Sequence, residues 1–282
     1  MKNILKEFEK FCKNTKVDYS IVNSIKPYND STYFCPAGMQ QFSRYFEIKW
    51  MRGTCANNQS CLRVNDIKEM GDGSHLAYFN MLGLFSFREM TMKQAMDWWV
   101  SFIEKYLELK IDYVTVHPKM LREWLPFIDE YIEVRTDIDC TWTDGNTFGY
   151  CMEFYINGVE VGNIVNTGGD CIDAGFGLER LDTACNGTVF GKEKVIKDSI
   201  DRIIEMGVEP SNSHAGYILR KLLNIAAKES IHIEHKFYED EKERIKKMQE
   251  FYSTNKDKFK NKSKEWWKET HGVDIDLIPS KS

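Results

Sequence analysis

Two arginines stand where a guanidinium could hold an anion. Arg63 closes an apolar run and opens a loop rich in Asp and Gly, inside the segment CLRVNDIKEMGDGSHLAYFNMLGLFSF (61–87). Arg180 ends the string Gly175-Phe176-Gly177-Leu178-Glu179-Arg180. Arginine keeps its charge and grips phosphate or carboxylate through a planar fork of donors. Gly175 and Gly177 would let backbone approach a ligand where a side chain would block it. Taken singly these signals are ordinary: Gly-x-Gly-x-x-Arg also suits a plain strand-to-helix turn, and a surface arginine is usually just solvated. Eight cysteines, at 12, 35, 55, 61, 140, 151, 171 and 185, are scattered along the chain. None forms a Cys-x-x-Cys pair or has a histidine at zinc-ligand spacing, so they read as free buried thiols, and zinc is not expected.

These residues need a scaffold, and periodicity supplies one. Leu5, Phe8, Phe11 and Cys12 recur at helical spacing, which predicts an opening helix over 2–14. A second helix is expected from Met92 to Leu109, with Ala95, Met96, Trp99, Phe102, Ile103 and Tyr106 on one face. IDYVTVH (111–117) has strand composition and stops at Pro118. CMEFYI and VEVGNIV flank Asn157-Gly158, the dipeptide that suits a type I′ hairpin. CIDAGFG then reads as a strand feeding the helix LERLDTAC, so the central unit is antiparallel sheet with flanking helices, an α+β plan. From about residue 192 the pattern turns helical, with VIKDSIDRIIEMG, YILRKLLNIAAKE and a highly charged stretch over 234–268. A boundary is expected near 190.

The bulk numbers bound the options. With 282 residues, 42% of them hydrophobic, the chain can bury one large domain and carry an appendage. A net charge of −5 argues against a general nucleic-acid binder, though not against a local basic patch. The opening MKNILKEFEKFCKN is amphipathic and mixed in charge, and no run of about 18 apolar residues occurs. A soluble, cytoplasmic protein with no membrane partner is expected.

Read together, four segments in fixed order are more specific: 20–46, 61–87, the hairpin running into Glu160-Val161-Gly162-Asn163-Ile164-Val165, and 172–181. Their wording resembles the alanyl-tRNA synthetases. That family's Asn-Ala-Gly-Met-x-Gln-Phe phrase is matched by Pro36-Ala37-Gly38-Met39-Gln40-Gln41-Phe42. Its Met-Leu-Gly-Asn-Phe-Ser-Phe is matched by Met81-Leu82-Gly83-Leu84-Phe85-Ser86-Phe87, and its Asp-x-Gly-Met-Gly-Leu-Glu-Arg by the run from Asp173 to Arg180. Further on, Gly207-Val208-Glu209-Pro210-Ser211-Asn212 and Gly216-Tyr217-Ile218-Leu219-Arg220 are similar to a Gly-Val-x-Pro-Ser-Asn … Gly-Tyr-Val-Leu-Arg phrase. Thr270-His271-Gly272 with Asp276-Leu277 resembles its Thr-Tyr-Gly … Asp-Leu-Thr segment. The family's editing and C-terminal domains would follow, so a truncated paralogue is expected.

The resemblance implies a fold and a chemistry. The fold is a class II aminoacyl-tRNA synthetase-like catalytic domain over 1–190, followed by a small helical domain over 191–282 that resembles a trimmed tRNA-recognition domain. The chemistry is attack of an amino-acid carboxylate on the α-phosphate of ATP, in which positioning and positive charge supply most of the catalysis. Arg63 matches the arginine that grips the α-phosphate and the attacking carboxylate, and Arg180 the one that holds the γ-phosphate. His75, Met81, Gly175 and Gly177 complete the implied ATP contacts. Asp173 matches the carboxylate that pairs with the substrate ammonium, Asn163 the pocket asparagine and Trp142, more loosely, the pocket tryptophan. Mg2+ bridging the phosphates follows from the chemistry, with Glu160 a weak candidate for a carboxylate beside it and a strand-surface charge as its ordinary reading.

Departures matter as much. The family's Arg-x-Gly-Gly-Lys-His-Asn-Asp is shortened here to Arg63-Val64-Asn65-Asp66, without the lysine. Asn80 stands where the family has glutamate, and its Gly-Pro-Cys-Gly-Pro-Cys-x-Glu phrase has become the run from Asn146 to Glu153. Alanine is therefore the default substrate, with other small amino acids in range. The positions that read the G·U pair of the acceptor stem align with His214, Ile225 and Glu269, which weakens standard tRNA recognition. Lysines at 256, 258, 260, 262 and 264 could meet a phosphate backbone or form a solvated helix face. The acceptor could thus be a tRNA, a small molecule or a carrier protein. A catalytically inactive paralogue that senses an amino acid is the alternative, and the joint presence of Arg63, Asp173 and Arg180 counts against it.

Overall fold

The structure is a computed structural model that describes residues 1–68, 70, 75–143, 148–167, 170–271 and 273. Its first compact unit, Met1–Arg202, is built on a nine-stranded sheet. In chain order this unit runs α1 (Ile4–Thr15), β1 (Asp18–Val22), α2 (Ser43–Glu47), β2 (Gly53–Leu62), β3 (Tyr78–Phe87) and α3 (Met92–Ser101). It continues with β4 (Tyr113–Val116), α4 (Leu121–Trp124), β5 (Glu133–Thr136), β6 (Thr141–Thr143), β7 (Phe148–Ile156), β8 (Val159–Asn166), β9 (Cys171–Gly177) and α5 (Leu178–Asn186). The sheet order is β1-β2-β3-β9-β8-β7-β4-β5, with β6 paired to β7 off that path. The interior pairs are antiparallel, as expected. The flanking pairs β1–β2 and β4–β5 are parallel, because each is joined by a crossover long enough to return the chain to the same end.

Alternation along the strands separates two chemistries. One face carries Leu82, Leu84, Met152, Phe154, Ile164, Ile172, Ala174 and Phe176, all in the main hydrophobic core with α1 and α3. Phe8 of α1 stacks on Trp99 of α3 with centroids 5.6 Å apart, and Trp99 stacks on Phe176 at 3.9 Å. Both helices begin where side chains satisfy the first free amides: Asn3 accepts from Lys6 N, and Thr91 with Gln94 forms a reciprocal capping box. The expected helix to Leu109 is α3 continued by a π turn over Phe102–Tyr106. The opposite face presents Asp173, Gly175 and Gly177 of β9 between Met81, Gly83 and Phe85 of β3 and Asn163 and Val165 of β8.

The hairpin between β7 and β8 turns at Asn157 (φ 53°) and Gly158 (φ 76°), the pair of left-handed residues that a type I′ turn requires. β2 carries a polar run, Asn57-Asn58-Gln59-Ser60, that is fully buried. Asn57 Nδ2 donates to Gly38 O (3.1 Å), and Gln59 Nε2 donates to Ser24 O (2.8 Å), so these amides tie the irregular segment ahead of β2 to the sheet.

A helix α6 (Lys192–Glu205) spans the divide between units, since the second begins at Ile203. The compact division thus falls within α6, some residues after the compositional change near 190. The second unit holds α7 (His214–Lys228), α8 (Lys236–Asn255) and α9 (Lys264–His271). Glu241 is buried there, and its carboxylate is held by Arg244 and by Arg220 at 3.6 Å, as a buried charge requires. Lysines 256, 258, 260 and 262 lie in the turn between α8 and α9, and Lys264 opens α9. Lys258 lies over the Phe259 ring and Lys262 over that of Trp266. Gly272, Asp276 and Leu277 lie outside the described residues.

Candidate active site

The polar face of the sheet floors a cleft of about 790 Å³. Its walls come from the segment ahead of β2 (Pro36, Met39, Gln40), from Arg63 and Phe79, and from Trp142 of β6. That volume lies within the range of sites that enclose a small-molecule ligand. Arg63, Met81, Trp142, Glu160, Asn163, Asp173, Gly175, Gly177 and Arg180, read from distant stretches of sequence, all line it. His75 is not among the lining residues; it follows 71–74, which lie outside the described residues.

Arg63 sits just past the end of β2 and is exposed. Its Nε donates to Pro36 O at 3.1 Å, and its guanidinium lies 4.9 Å from the Phe79 ring centroid. Backbone and ring therefore fix its orientation without neutralising its charge. Arg180, in the first turn of α5, donates from Nη1 to Glu160 O (2.8 Å) and to Glu160 Oε2 (3.1 Å). Glu160 is thus an ion-pair partner of the second arginine as well as a cleft residue.

Asp173 is 8% exposed, lies between Phe85 and Val165 on the neighbouring strands, and faces the cleft. Gly175 cannot carry a side chain without displacing Met81, whose Sδ would stand 2.7 Å from an added Cβ. Met81 is itself fixed, since its sulfur accepts from Gly38 N at 3.4 Å. An added Cβ at Gly177 would meet nothing nearer than the Arg180 methylenes at 3.5 Å, so the floor beside Arg180 is low and open.

Sequence reasoning missed Glu179. Its carboxylate accepts from Asn80 N (3.0 Å to Oε2) and Asn80 Nδ2 (3.0 Å to Oε1), and burial pushes its pKa up from the usual carboxylate value despite those donors. The departure noted at Asn80 was the available signal: a glutamate there would set two carboxylates against each other, whereas asparagine supplies donors. Gln40 was also missed. It is buried, lines the cleft and holds the wall together by accepting from Tyr28 N (3.1 Å) and donating to Thr32 Oγ1 (3.0 Å).

In the second unit, His214 is exposed at the first residue of α7, Ile225 is half-buried on α7 and Glu269 is exposed on α9. No helix among the described residues is long and apolar enough to cross a membrane.

Comparison with known proteins adds the family. The family model for tRNA synthetases class II (A) matches residues 3–138. An alanine–tRNA ligase from Endomicrobium trichonymphae is 28% identical over an alignment of 309 residues, covering 82% of this chain and 34% of the relative. One from Rubrobacter xylanophilus is 40% identical over 88 residues, 30% of this chain and 10% of the relative. The chain spans about a third of the length of that Endomicrobium relative. Among solved structures, a pyrrolysyl tRNA synthetase from Desulfitobacterium hafniense aligns with a TM-score of 0.42 at 13% identity, covering 66% of this chain and 68% of that one. With an alanine–tRNA ligase aligned over 82% of its length, and the class II (A) synthetase model matched over residues 3–138, the chain is similar to the alanyl-tRNA synthetases.

Proposed function

We propose that this protein is an aminoacyl-adenylate-forming ligase. It joins a small amino acid, alanine by default, to the AMP portion of ATP, releases pyrophosphate and passes the acyl group to a tRNA. The observation that carries this reading is the meeting of two arginines, a buried carboxylate and a glycine-lined floor in one cleft. An adenylation site needs each of these parts. Arg63, held by backbone and ring, is the donor for the α-phosphate, where charge develops as the carboxylate oxygen attacks phosphorus. Arg180 holds the far end of the triphosphate in ground and transition states alike. Asp173 holds the substrate ammonium, and its burial strengthens that pairing by excluding water. Asn163 and Trp142, which line the cleft with Asp173, bound the amino-acid end.

ATP fits the cleft's donor set, because the guanidinium groups suit phosphate and the open floor at Gly177 admits a flat group. Mg2+ fits Glu160, a hard oxygen donor beside Arg180, and when bound would neutralise phosphate charge. Retention of both arginines disfavours an inactive amino-acid sensor, which would need neither phosphate contact.

The deciding experiment is ATP–pyrophosphate exchange with each of the twenty amino acids. Exchange with alanine, or failing that glycine, serine or another small amino acid, is expected. Folded protein that supports exchange with none of them, Mg2+ present, overturns the reading.

A further inference from the structure

We propose that Asn80 is a positioning residue for Arg180, acting through the Glu179 carboxylate, and that this pair sets how tightly the cleft holds ATP. The proposal rests on the reading of Arg180 as the group that holds the far end of the triphosphate. α5 begins directly after the ladder pair of Met81 with Gly177, and its N-cap residue is Gly177, which has no side chain to satisfy the first free amides. Glu179 anchors the first turn to the sheet instead. Asn80 N donates to Glu179 Oε1 at 3.1 Å and to Oε2 at 3.0 Å, and Asn80 Nδ2 donates to Oε1 at 3.0 Å. Arg180 is the next residue, so whatever fixes Glu179 fixes the root of the Arg180 side chain. The guanidinium end is held by Glu160, and Glu160, Glu179 and Arg180 all line the cleft.

Asn80 is itself aimed. Ser60, its partner on β2, is 1% exposed and donates from Oγ to Asn80 Oδ1 at 3.0 Å. With the amide oxygen so occupied, Nδ2 turns toward Glu179. Hydrogen bonds thus run from β2 through β3 to the start of α5. An aspartate at position 80 would accept from Ser60 equally well but would set like charge against Glu179. Asparagine is the residue of that length that accepts on one side and donates on the other.

The consequence falls on ATP. Arg180 is read as touching the triphosphate in ground and transition states alike, so a displaced guanidinium weakens ATP binding rather than the chemical step.

The test is a double-mutant cycle on the full chain. It is read as the ATP and amino-acid requirements and kcat of exchange, and as affinity for a non-hydrolysable ATP analogue. Asn80→Asp should weaken binding of ATP and its analogue ~10- to 100-fold, the range for one charge-assisted hydrogen bond. Its kcat at saturating ATP and its amino-acid requirement should stay near the parent's. Asn80→Asp combined with Glu179→Gln exchanges donor and acceptor, and should recover most of the lost affinity. Parent-like affinity in Asn80→Asp overturns the proposal, as does a double variant as weak as Asn80→Asp. Equal rises in the ATP and amino-acid requirements overturn it too, since a general structural defect would produce them. Should Asn80→Asp fail to fold, Asn80→Ser decides instead: it keeps the backbone donor, removes the amide and should bind the analogue about tenfold more weakly, and parent-like affinity overturns the proposal. A parent that binds the analogue but supports no exchange would remove the proposed adenylation, while the affinities would still decide the role of Asn80.

Discussion

Arg63 and Arg180 carry the same charge but are held differently, and that difference predicts different kinetics. Among the described residues Arg63 makes one hydrogen bond, from Nε to Pro36 O, so its terminal nitrogens are available to a ligand. Arg63→Ala should mainly slow adenylate formation, by ~100- to 1000-fold or about 3–4 kcal/mol, the usual cost of removing one preorganised donor. Arg180→Ala should also raise the ATP requirement. Asp173→Asn should act on the amino-acid requirement and leave ATP dependence nearly unchanged. Exchange kinetics and melting temperatures on the same preparations check all three, and an Asp173→Asn variant impaired only toward ATP would put the amino-acid pocket elsewhere. Glu160 shares its carboxylate between Arg180 and the proposed Mg2+. Glu160→Gln should therefore raise the Mg2+ concentration for half-maximal exchange while leaving the melting temperature nearly unchanged, since a partly exposed ion pair is worth at most about 1 kcal/mol. An unaltered Mg2+ dependence would remove Glu160 from that role. Glu179 gives a pH signature. Its folded pKa is raised by burial above the reference value of 4.5, so the folded state favours the protonated form. Stability from this group is complete below that value and is lost as pH rises through the folded pKa. Glu179→Gln should match the parent's stability at acid pH, gain on it through the window above 4.5, and then hold a constant advantage. Melting curves across pH decide, and a deficit at neutral pH would show that the charge itself is needed. The two arginines and Asp173 were legible in the sequence because their motifs are short and contiguous. The Glu179–Asn80 contact was not, because it depends on the register that sets Met81 opposite Gly177.

At the scale of elements, what could be read followed from local rules, and what could not depended on distant partners. The β7–β8 hairpin was legible because Asn-Gly between β-rich runs states a backbone requirement, and Asn157 and Gly158 meet it with positive φ. Gly158→Ala should lower stability by about 1–2 kcal/mol, the cost of placing a Cβ in left-handed backbone. Gly191→Ala, at a position with open surroundings and ordinary φ, is the control and should be near neutral. Urea unfolding of both compares them directly, and equal midpoints would refute the turn argument. β2 was illegible for the opposite reason. Asn and Gln disfavour strands, yet Gly53–Leu62 is a ten-residue interior strand. Asn57 Nδ2 donates to Gly38 O, Gln59 Nε2 to Ser24 O, and Ser60 Oγ to Asn80 Oδ1 at 3.0 Å. None of those partners is a sequence neighbour, so no window of residues announces the strand.

For the molecule as a whole, the open matter is the acceptor, and it divides by unit. The proposed adenylation chemistry lies within Met1–Arg202, whereas His214, Ile225 and Glu269 belong to the second unit. We propose the latter as a trimmed tRNA-recognition domain. Reading a particular base pair requires donors and acceptors matched to its groove edge. Ile225 offers none in its side chain, and Glu269 would set a carboxylate in a strongly anionic setting. Phosphate contacts would fall to lysines 256–264, although the chain's net charge of −5 gives no general attraction to set against their solvation. Two consequences follow if a tRNA is the acceptor. Charging should be weak and should change little when the acceptor G·U pair is replaced by G·C, because His214, Ile225 and Glu269 stand in place of the residues that the resemblance implies as readers. Binding should also weaken steeply with salt, with a log–log slope of roughly −0.7 to −0.9 per phosphate contacted, the same for both tRNAs. Aminoacylation and binding of the two acceptors over a salt series test both points. Efficient charging that collapses on the change to G·C would mean that the pair is read by residues other than those three. Equal affinities that fall in parallel with salt would leave only backbone contacts, and selection of a tRNA would then have to come from some other feature of its shape.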